Sequence, residues 1–314
     1  MNAVLNHEAT YEWGQLVTYL QYSRTIIGRH TNTPNTPLGA DPTKPQVPYP
    51  VIGSNSGTSI EWDTNWRRNQ DIIFQTSYNN AFDFNDWGSL TLNAGLYYIW
   101  EELRIVAVDR GENFLKAMNQ VALFAEGQYD INEYISTTLG LRYNYSDLFS
   151  AIPNPRFYVN VYPTTWLTLK AGVSSGVRVP QMNYLHNGWQ YSPNVSATAY
   201  TRGNTELKPE QTWNYEITAL IDSKYASFDM TGYYTDFSNV IVSVGLPNDA
   251  ACPAGVKSAA NCLTYENANK SLLAGLELGA KLKEIYGFSL NANYNFAYSQ
   301  VLSVRNANQQ ALSG

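Results

Sequence analysis

The chain has 314 residues, of which 44% are hydrophobic and only 15% are charged, and its formal net charge is −6. The negative balance and the lack of a basic patch in the sequence argue against a nucleic-acid partner. No apolar run reaches the ~18 residues of a membrane-spanning helix. The 24 Tyr, 8 Trp and 11 Phe instead suit strands that end in aromatic belts at a bilayer, or a secreted β protein with aromatic cross-strand pairs.

Twelve candidate strands follow one another, joined by connections that alternate between short and long without exception. The short connections fall near 11–14, 83–88, 130–133, 163–165, 222–224 and 283–286, and the long ones near 29–64, 105–116, 147–153, 175–209 and 237–271. Antiparallel barrels of the outer membrane have short periplasmic turns and long extracellular loops. The alternation therefore predicts an all-β, antiparallel transmembrane β-barrel.

Each candidate strand has two different faces. In 134–146 and 287–299, apolar side chains ending in Tyr alternate with Asn, Ser, Thr and Gly, and 89–104 and 166–174 keep the same period of two. Strands of about 9–16 residues are long enough for a tilted membrane crossing. We expect the apolar face to meet lipid and the polar face to line a wet or plugged lumen.

The two ends of the sequence fit the middle of a wall. A strand begins at the first residue, with no signal peptide before it, and the strand at 287–303 runs into the polar stretch 305–310. We therefore expect residues 1–314 to form a partial barrel domain whose N-terminal plug and both barrel ends lie outside this sequence.

Several motifs carry a family resemblance. Residues 203–217 resemble the "N-x-x-L-K-P-E-x-x-x-N-Y-E-x-G" segment of TonB-dependent outer-membrane receptors, through Asn204, Leu207, Lys208, Pro209 and Glu210. Residues 176–185 resemble the family's "G-F-R-A-P-S-x-x-E-L" segment, from which Val177, Val179 and Asn183 depart. Further matches at 121–126, 139–143, 165–170 and 232–241 keep the family's order, so the resemblance covers about 117–283.

The resemblance implies a barrel of the 22-strand type with a plugged lumen, to which this chain would contribute about 12 strands without the plug. It also implies a receptor of the siderophore and iron type and not an enzyme. A ferric siderophore or haem would be its transported ligand, and no cofactor would be bound covalently. The implied location is the outer membrane of a Gram-negative bacterium. A smaller passive porin-like channel and a soluble adhesin-type β domain are the alternatives.

Two kinds of partner follow from the same resemblance. One is the TonB–ExbB–ExbD energy-coupling complex, which would act through the N-terminal part that lies outside this sequence. The other is the lipid and lipopolysaccharide of the outer membrane. At the end of the Pro-rich loop 29–64, Arg67 and Arg68 face lipopolysaccharide, an anionic ligand or only solvent.

The long loop 175–209 carries the candidate ligand contacts, because aromatic plates and arginine suit a flat anionic iron chelate. These contacts are Arg178, Tyr184, His186, Trp189, Tyr191 and Arg202. Packing of the loop on the rim is the competing interpretation. The segment 203–210 is interpreted mainly as the start of a strand at the rim, because Pro209 cannot donate to a β-ladder.

His186 lies between the two family segments, where receptors for haem can carry an axial ligand. An axial role, a siderophore contact and a plain loop histidine all stay open. The sequence shows no catalytic constellation, and its three scattered histidines form no metal set. Cys252 and Cys262 lie close together in one exported loop, which favours a disulfide over two free thiols.

Overall fold

The computed structural model describes residues 1–28, 50–51, 61–62, 65–107, 112–191, 200–246, 252 and 261–303. Its strands, numbered in chain order, are β1 (Asn2–Tyr11), β2 (Gly14–Gly28), β3 (Pro50–Val51), β4 (Glu61–Trp62), β5 (Asn65–Asp83), β6 (Ser89–Ala107), β7 (Glu112–Asn132), β8 (Ile135–Ser146), β9 (Ile152–Thr164), β10 (Leu167–Arg178), β11 (Trp189–Tyr191), β12 (Tyr200–Arg202), β13 (Glu210–Asp222), β14 (Ala226–Gly245), β15 (Cys262–Ile285) and β16 (Phe288–Ser303). Twelve of them are long, as the sequence predicts, and β3, β4, β11 and β12 are short additions in two connections.

The long strands form one antiparallel meander in which each strand pairs with the next along the chain. The all-β fold class is therefore confirmed. β1 and β16 stand at the two ends of the sheet, and within the described residues they do not pair with each other. The described part of the sheet is thus a wall that is not closed into a barrel. Within the described residues, the 3₁₀ turns Asn85–Trp87 and Met182–Tyr184 interrupt the β structure.

In the described part of the chain, no helix has the length and apolar character needed to cross a membrane.

Short turns at one end of the wall fix the register between neighbouring strands. Gly88 closes the β5–β6 turn with φ 99° and Gly287 closes the β15–β16 turn with φ 83°. This left-handed region is costly for residues that carry a Cβ. A Cβ at Gly88 would also lie 2.2 Å from the carbonyl oxygen of Asp130, so a side chain does not fit there.

The two predicted faces are present in the sheet. On β8, Leu139, Leu141, Tyr143 and Tyr145 are exposed, whereas Ser136 on the opposite face is buried. β16 carries an apolar row of Phe288, Leu290, Tyr294, Phe296 and Tyr298 on the same face, and the polar residues between them are exposed as well. We call the apolar face outward and the polar face inward, because an apolar exposed band is what a strand needs against lipid.

The strict alternation of short and long connections is wrong at two places. β6 runs to Ala107 and β7 begins at Glu112, and these two residues are register partners, so only 108–111 connect the strands. β8 and β9 are likewise separated only by 147–151. Residues predicted as loop complete the ladder instead, because pairing satisfies main-chain groups above a membrane as well as within it.

The connection between β10 and β13 returns to the sheet at a distant strand. β12 pairs in parallel with the outer end of β15, from Tyr200 opposite Cys262 to Arg202 opposite Thr264. β11 then pairs antiparallel with β12. The loop therefore crosses β13 and β14 at the end of the wall opposite the short turns, and we call this end the mouth. Apart from β3 and β4, the predicted exposed loop 29–64 lies outside the described residues.

Candidate ligand-binding site at the extracellular mouth

The loop after β10 contacts the inner face of the wall on two strands that are far apart. Tyr184 stacks on Tyr265 of β15 with ring centroids 4.2 Å apart. The His186 ring meets Phe114 of β7 edge-on, with centroids 5.9 Å apart. Leu185 lies between them and is buried. Tyr184 and His186 therefore hold the loop in the mouth, as the packing interpretation of these two residues expects.

Phe114 belongs to a row of side chains that shares one face across three strands. It is the register partner of Ile105 on β6, and Ile105 is the partner of Arg67 on β5. Ile105 is buried in this row. The outer end of the inner face is thus partly apolar, and the loop covers it. Arg67 lies close enough to His186 to act on its charge.

Burial keeps His186 neutral. The side chain is 2% exposed, and loss of hydration lowers its pKa from 6.5 to about 4. A hydrogen bond with the main chain of Gly188 acts in the opposite direction, and the positive charge of Arg67 lowers the pKa further. A Cβ at Gly203 would lie 2.4 Å from the main-chain nitrogen and oxygen of His186, so the two loop segments approach too closely for any other residue. The imidazole is therefore enclosed.

The family segment at 203–210 fastens this loop to β15. The Asn204 side-chain amide donates to the Tyr265 carbonyl oxygen at 2.9 Å, and its Oδ1 accepts from the Glu206 main-chain N–H at 2.9 Å. Leu207 is 3% exposed and adds an apolar contact. These bonds satisfy polar groups of a non-repetitive segment that would otherwise need water.

Asn267 of β15 completes the attachment. Its Oδ1 accepts from the Lys208 N–H at 2.8 Å, and its amide donates to the carbonyl oxygens of Lys208 at 2.9 Å and Asn239 at 2.6 Å. Asn239 in turn donates to the Pro209 carbonyl oxygen at 3.4 Å. Glu210 accepts from the Ile241 N–H at 2.7 Å. The segment is therefore a structural clamp at the start of β13.

A disulfide anchors the outer part of the loop. Cys252 and Cys262 are bonded, with their Cα atoms 6.1 Å apart, as the sequence favours. The bridge forms a buried cluster with Trp189, against which Tyr200 packs. The Arg202 guanidinium lies over the Trp189 ring at 5.7 Å from its centroid. Tyr191 follows in β11 by its backbone, and its side chain lies outside the described part.

Arg178 is placed differently, at an open cavity of about 490 Å³ between the outer ends of β7, β8, β9 and β10. The polar side chains around the cavity are Gln120, Arg142, Asn144, Asn154, Ser175 and Arg178, among others. Arg178 is 66% exposed and pairs with Glu210 at 3.4 Å. Of the loop candidates whose side chains are described, Arg178 alone lines the cavity.

Arg142 is the second cation of this cavity and is held by aromatic rings on the inner face. Its Cζ lies 5.1 Å from the ring centroid of Tyr97 and 5.9 Å from that of Phe124. Its Nε donates to Asn144 Oδ1 at 2.8 Å. Two guanidinium groups, side-chain amides and adjacent rings suit an anionic molecule that is rich in oxygen and has flat parts.

A larger cavity of about 610 Å³ lies at the opposite end, among the short turns. Its lining includes Asp83, Asp130 and Glu133, which repel anions. The smaller, extracellular cavity therefore fits the predicted ligand class better. Within the described ranges, no three His, Cys, Asp or Glu side chains are grouped so that they could hold a metal ion.

Comparison with known families agrees with this architecture. A family model described as "TonB dependent receptor-like, beta-barrel" matches residues 2–313. The chain belongs to this family. The predicted family resemblance is thereby confirmed, and as a TonB-dependent receptor barrel the chain lies in the outer membrane of Gram-negative bacteria.

Individual relatives of this receptor chain carry names connected with iron. It is 28% identical over 185 residues to an iron-regulated outer membrane virulence protein of Vibrio cholerae, covering 58% of this chain and 28% of that protein. It is 30% identical over 164 residues to the ferric enterobactin receptor of Pseudomonas aeruginosa, covering 50% of this chain and 22% of that protein. The chain thus spans about a quarter of the length of these curated relatives.

Solved structures share the fold of the receptor chain. The siderophore receptor PirA from Pseudomonas aeruginosa superposes with a TM-score of 0.74 at 17% identity, covering 96% of this chain and 49% of that one. At this identity the similarity concerns the fold alone.

Sequence reasoning did not find several residues that build the mouth. Phe114 and Tyr265 receive the loop, and Arg142 faces the cavity from β8. The sequence could have indicated Arg142, since it is a cation on the inward face of a predicted strand. No sequence pattern indicated Phe114 or Tyr265, because each contacts a loop residue that is remote in the sequence.

Proposed function

We propose that this chain forms part of the wall of an energy-coupled outer-membrane receptor that imports a ferric siderophore. The observation that carries the proposal is the extracellular cavity with Arg142 and Arg178 facing it. Guanidinium groups bind the charged oxygens of a chelate, so the wall recognises the complex without replacing the ligands of iron. The iron-related names of the relatives support the same substrate class.

Haem is the less favoured ligand of the proposal. An axial ligand needs a free imidazole nitrogen at an open site, whereas His186 is buried against Phe114. Ligation of haem would require the loop to leave the mouth. If the receptor nevertheless used His186 for haem, His186→Ala would abolish growth on haem as the iron source. We expect growth on haem to be unchanged by this substitution.

The coupling partner in this proposal is the TonB–ExbB–ExbD complex, acting on the whole receptor. The outward apolar face would contact membrane lipid and lipopolysaccharide. The twelve long strands described here would form part of a larger barrel, because β1 and β16 leave both sheet edges unpaired within the described residues. An exposed edge is a liability that barrels remove by closure. A self-contained porin-like channel therefore gains no support from the open sheet.

Substitution of the cavity arginines tests the proposal. We expect Arg142→Gln and Arg178→Gln each to weaken binding of ferric enterobactin by about tenfold, because each removes a charge-assisted hydrogen-bond donor. Binding is measured by fluorescence quenching on the receptor in detergent, and uptake with radioactive iron in cells. Arg156→Gln is the matched control, since Arg156 lies lower on the inner face and pairs with Glu126 at 3.1 Å. Equal affinity in all three variants and the parent would refute the proposed site.

A further inference from the structure

Three arginines stand together on the outward face of the wall, away from the ligand cavity. Arg24 is on β2, Arg68 on β5 and Arg104 on β6, and these strands are neighbours in the sheet. Neighbouring strands lie about 4.8 Å apart, so the three side chains share a patch roughly 10 Å wide. We call these three residues the arginine patch.

The arginine patch lies just beyond an aromatic girdle. Along the outward face of β6, Arg104 follows Tyr98, Trp100 and Glu102 at every second position. On β2, Arg24 follows Tyr22 in the same way. Aromatic girdles mark the level at which lipid tails meet head groups in outer-membrane barrels. The patch therefore lies at the head-group level of the outer leaflet.

Its positive charge is incompletely balanced by the protein. Arg68 and Arg104 are direct register partners, and like charges in this position repel each other. Glu102 pairs with Arg68 at 2.5 Å, and Arg104 lies over the Trp66 ring at 5.5 Å from its centroid. Among the described residues, neither Arg24 nor Arg104 has a carboxylate partner.

The guanidinium groups also have unused donors. The Nε atoms of Arg24, Arg68 and Arg104 are all buried and form no hydrogen bond with the described protein. A buried donor without a partner is costly, and a cationic one more so. The three side chains as a whole are half-buried, so an anion with several oxygens could reach the remaining N–H groups of the guanidinium ends and relieve the repulsion between Arg68 and Arg104. Phosphate matches the planar fork of arginine for this purpose.

We propose that the arginine patch binds the phosphorylated saccharide head group of lipopolysaccharide. This glycolipid forms the outer leaflet in which the patch lies, and its phosphates supply the complementary charge. The inference deepens the proposed contact with lipopolysaccharide, on which it rests, and does not depend on which chelate is carried. The bound molecule would become a fixed part of the lipid shell beside β2, β5 and β6.

The test uses receptor purified from outer membranes, stripped of lipid in detergent and titrated with purified lipid A. We expect the parent protein to bind phosphorylated lipid A at least about tenfold more tightly than the same lipid A after removal of its phosphates. The combined variant Arg24→Gln/Arg68→Gln/Arg104→Gln should lose this preference. The pair Arg24→Gln/Arg104→Gln keeps the Arg68–Glu102 bridge and should lose most of it, which guards against misfolding of the triple variant.

A charge-matched control separates the patch from net charge. Lys170→Gln/Lys224→Gln/Lys283→Gln also removes three cations, and these lie toward the short turns. This variant should retain the parent preference. Equal binding of both lipid A forms by the parent, or an unchanged preference in the patch variants, would overturn the inference. Ferric enterobactin binding by the same preparations reports separately on the proposed function, since a patch variant that loses lipid A should still bind the chelate.

Discussion

At the scale of single residues, Asn267 joins three segments of the mouth. Its side chain bonds the main chain of Lys208 twice and that of Asn239 once. We expect Asn267→Ala to destabilise the attachment of residues 204–210 by about 1–3 kcal/mol, because main-chain groups lose their partners. Hydrogen exchange of the 204–210 amides measures the effect. Asn293→Ala in β16, where Asn293 is exposed, should leave these amides unchanged, and equal exchange in both variants would contradict the prediction.

His186 makes the loop sensitive to acid. Its pKa is about 4 in the folded loop, against 6.5 as the ordinary value. Between these pKa values the unfolded loop binds a proton that the folded loop does not. The folded loop therefore has its full stability above pH 6.5, and it loses stability as the pH falls toward 4. The total loss is up to about 3 kcal/mol.

This prediction is checked by hydrogen exchange of residues 184–189 between pH 7 and pH 4. After correction for intrinsic exchange rates, local opening should increase as the pH falls. His186→Phe and His186→Gln should remove that increase, because neither residue takes up a proton. A pH response that survives both substitutions would assign it to another group.

The residues of the site differ in how far the sequence could predict them. Arg178 and the segment 204–210 follow from the motifs, and the disulfide follows from the cysteine spacing. The burial of His186 does not follow, because it depends on Phe114, which is 72 positions away in the sequence and belongs to another strand. The aromatic loop residues pack the mouth, whereas Arg142, inferred only as a strand residue, faces the cavity.

At the scale of elements, the β11–β12 hairpin depends on the disulfide beneath it. The Cys252–Cys262 bridge packs against Trp189, and the neighbouring β12 pairs with β15 from Cys262 onward. We expect Cys252→Ser/Cys262→Ser to loosen the hairpin by about 2–3 kcal/mol, because the open form gains chain entropy. Limited proteolysis of 246–262 and a red shift of Trp189 fluorescence measure the loosening. The parent treated with reductant should behave like the variant.

The twelve long strands of the same variant should keep the fast gel migration of an unboiled, folded barrel, since among these strands the bridge includes a residue of β15 alone, at its outer end. Cleavage at the same rate in oxidised parent and variant would show that the bridge does not hold the hairpin. If the variant lost the gel migration of the folded sheet, the bridge would stabilise the sheet as well as the hairpin.

Strand number, order and face were predictable from the sequence, since a period of two is a local property of each strand. The outer limits of β6 and β7 were not. Residues 105–107 and 112–116 carry loop-like sequence, yet their ladder continues because each strand supplies the other with hydrogen-bond partners. The parallel pairing of β12 with β15 could not be predicted from the sequence either, because a strand of three residues is too short to show a period of two.

At the scale of the whole molecule, the open sheet and the apolar outward face belong together. A wall with exposed Leu139, Leu141 and Leu290 on one face suits lipid, and within the described residues β1 and β16 each leave one edge unpaired. We propose that further strands of a larger barrel cover these edges. A complete barrel of the family's architecture would meet both needs, and in the function that we propose the cavity at its mouth recognises an anionic iron chelate.

The most direct measurement is the size and regulation of the native product. Outer-membrane fractions from iron-starved and iron-fed cells are probed, boiled and unboiled, with an antibody to residues 203–217. We predict a heat-modifiable species well above the 35.2 kDa of this chain, more abundant after iron starvation. A heat-modifiable species near 35.2 kDa that does not respond to iron would contradict the account, because it would mean a self-sufficient small barrel.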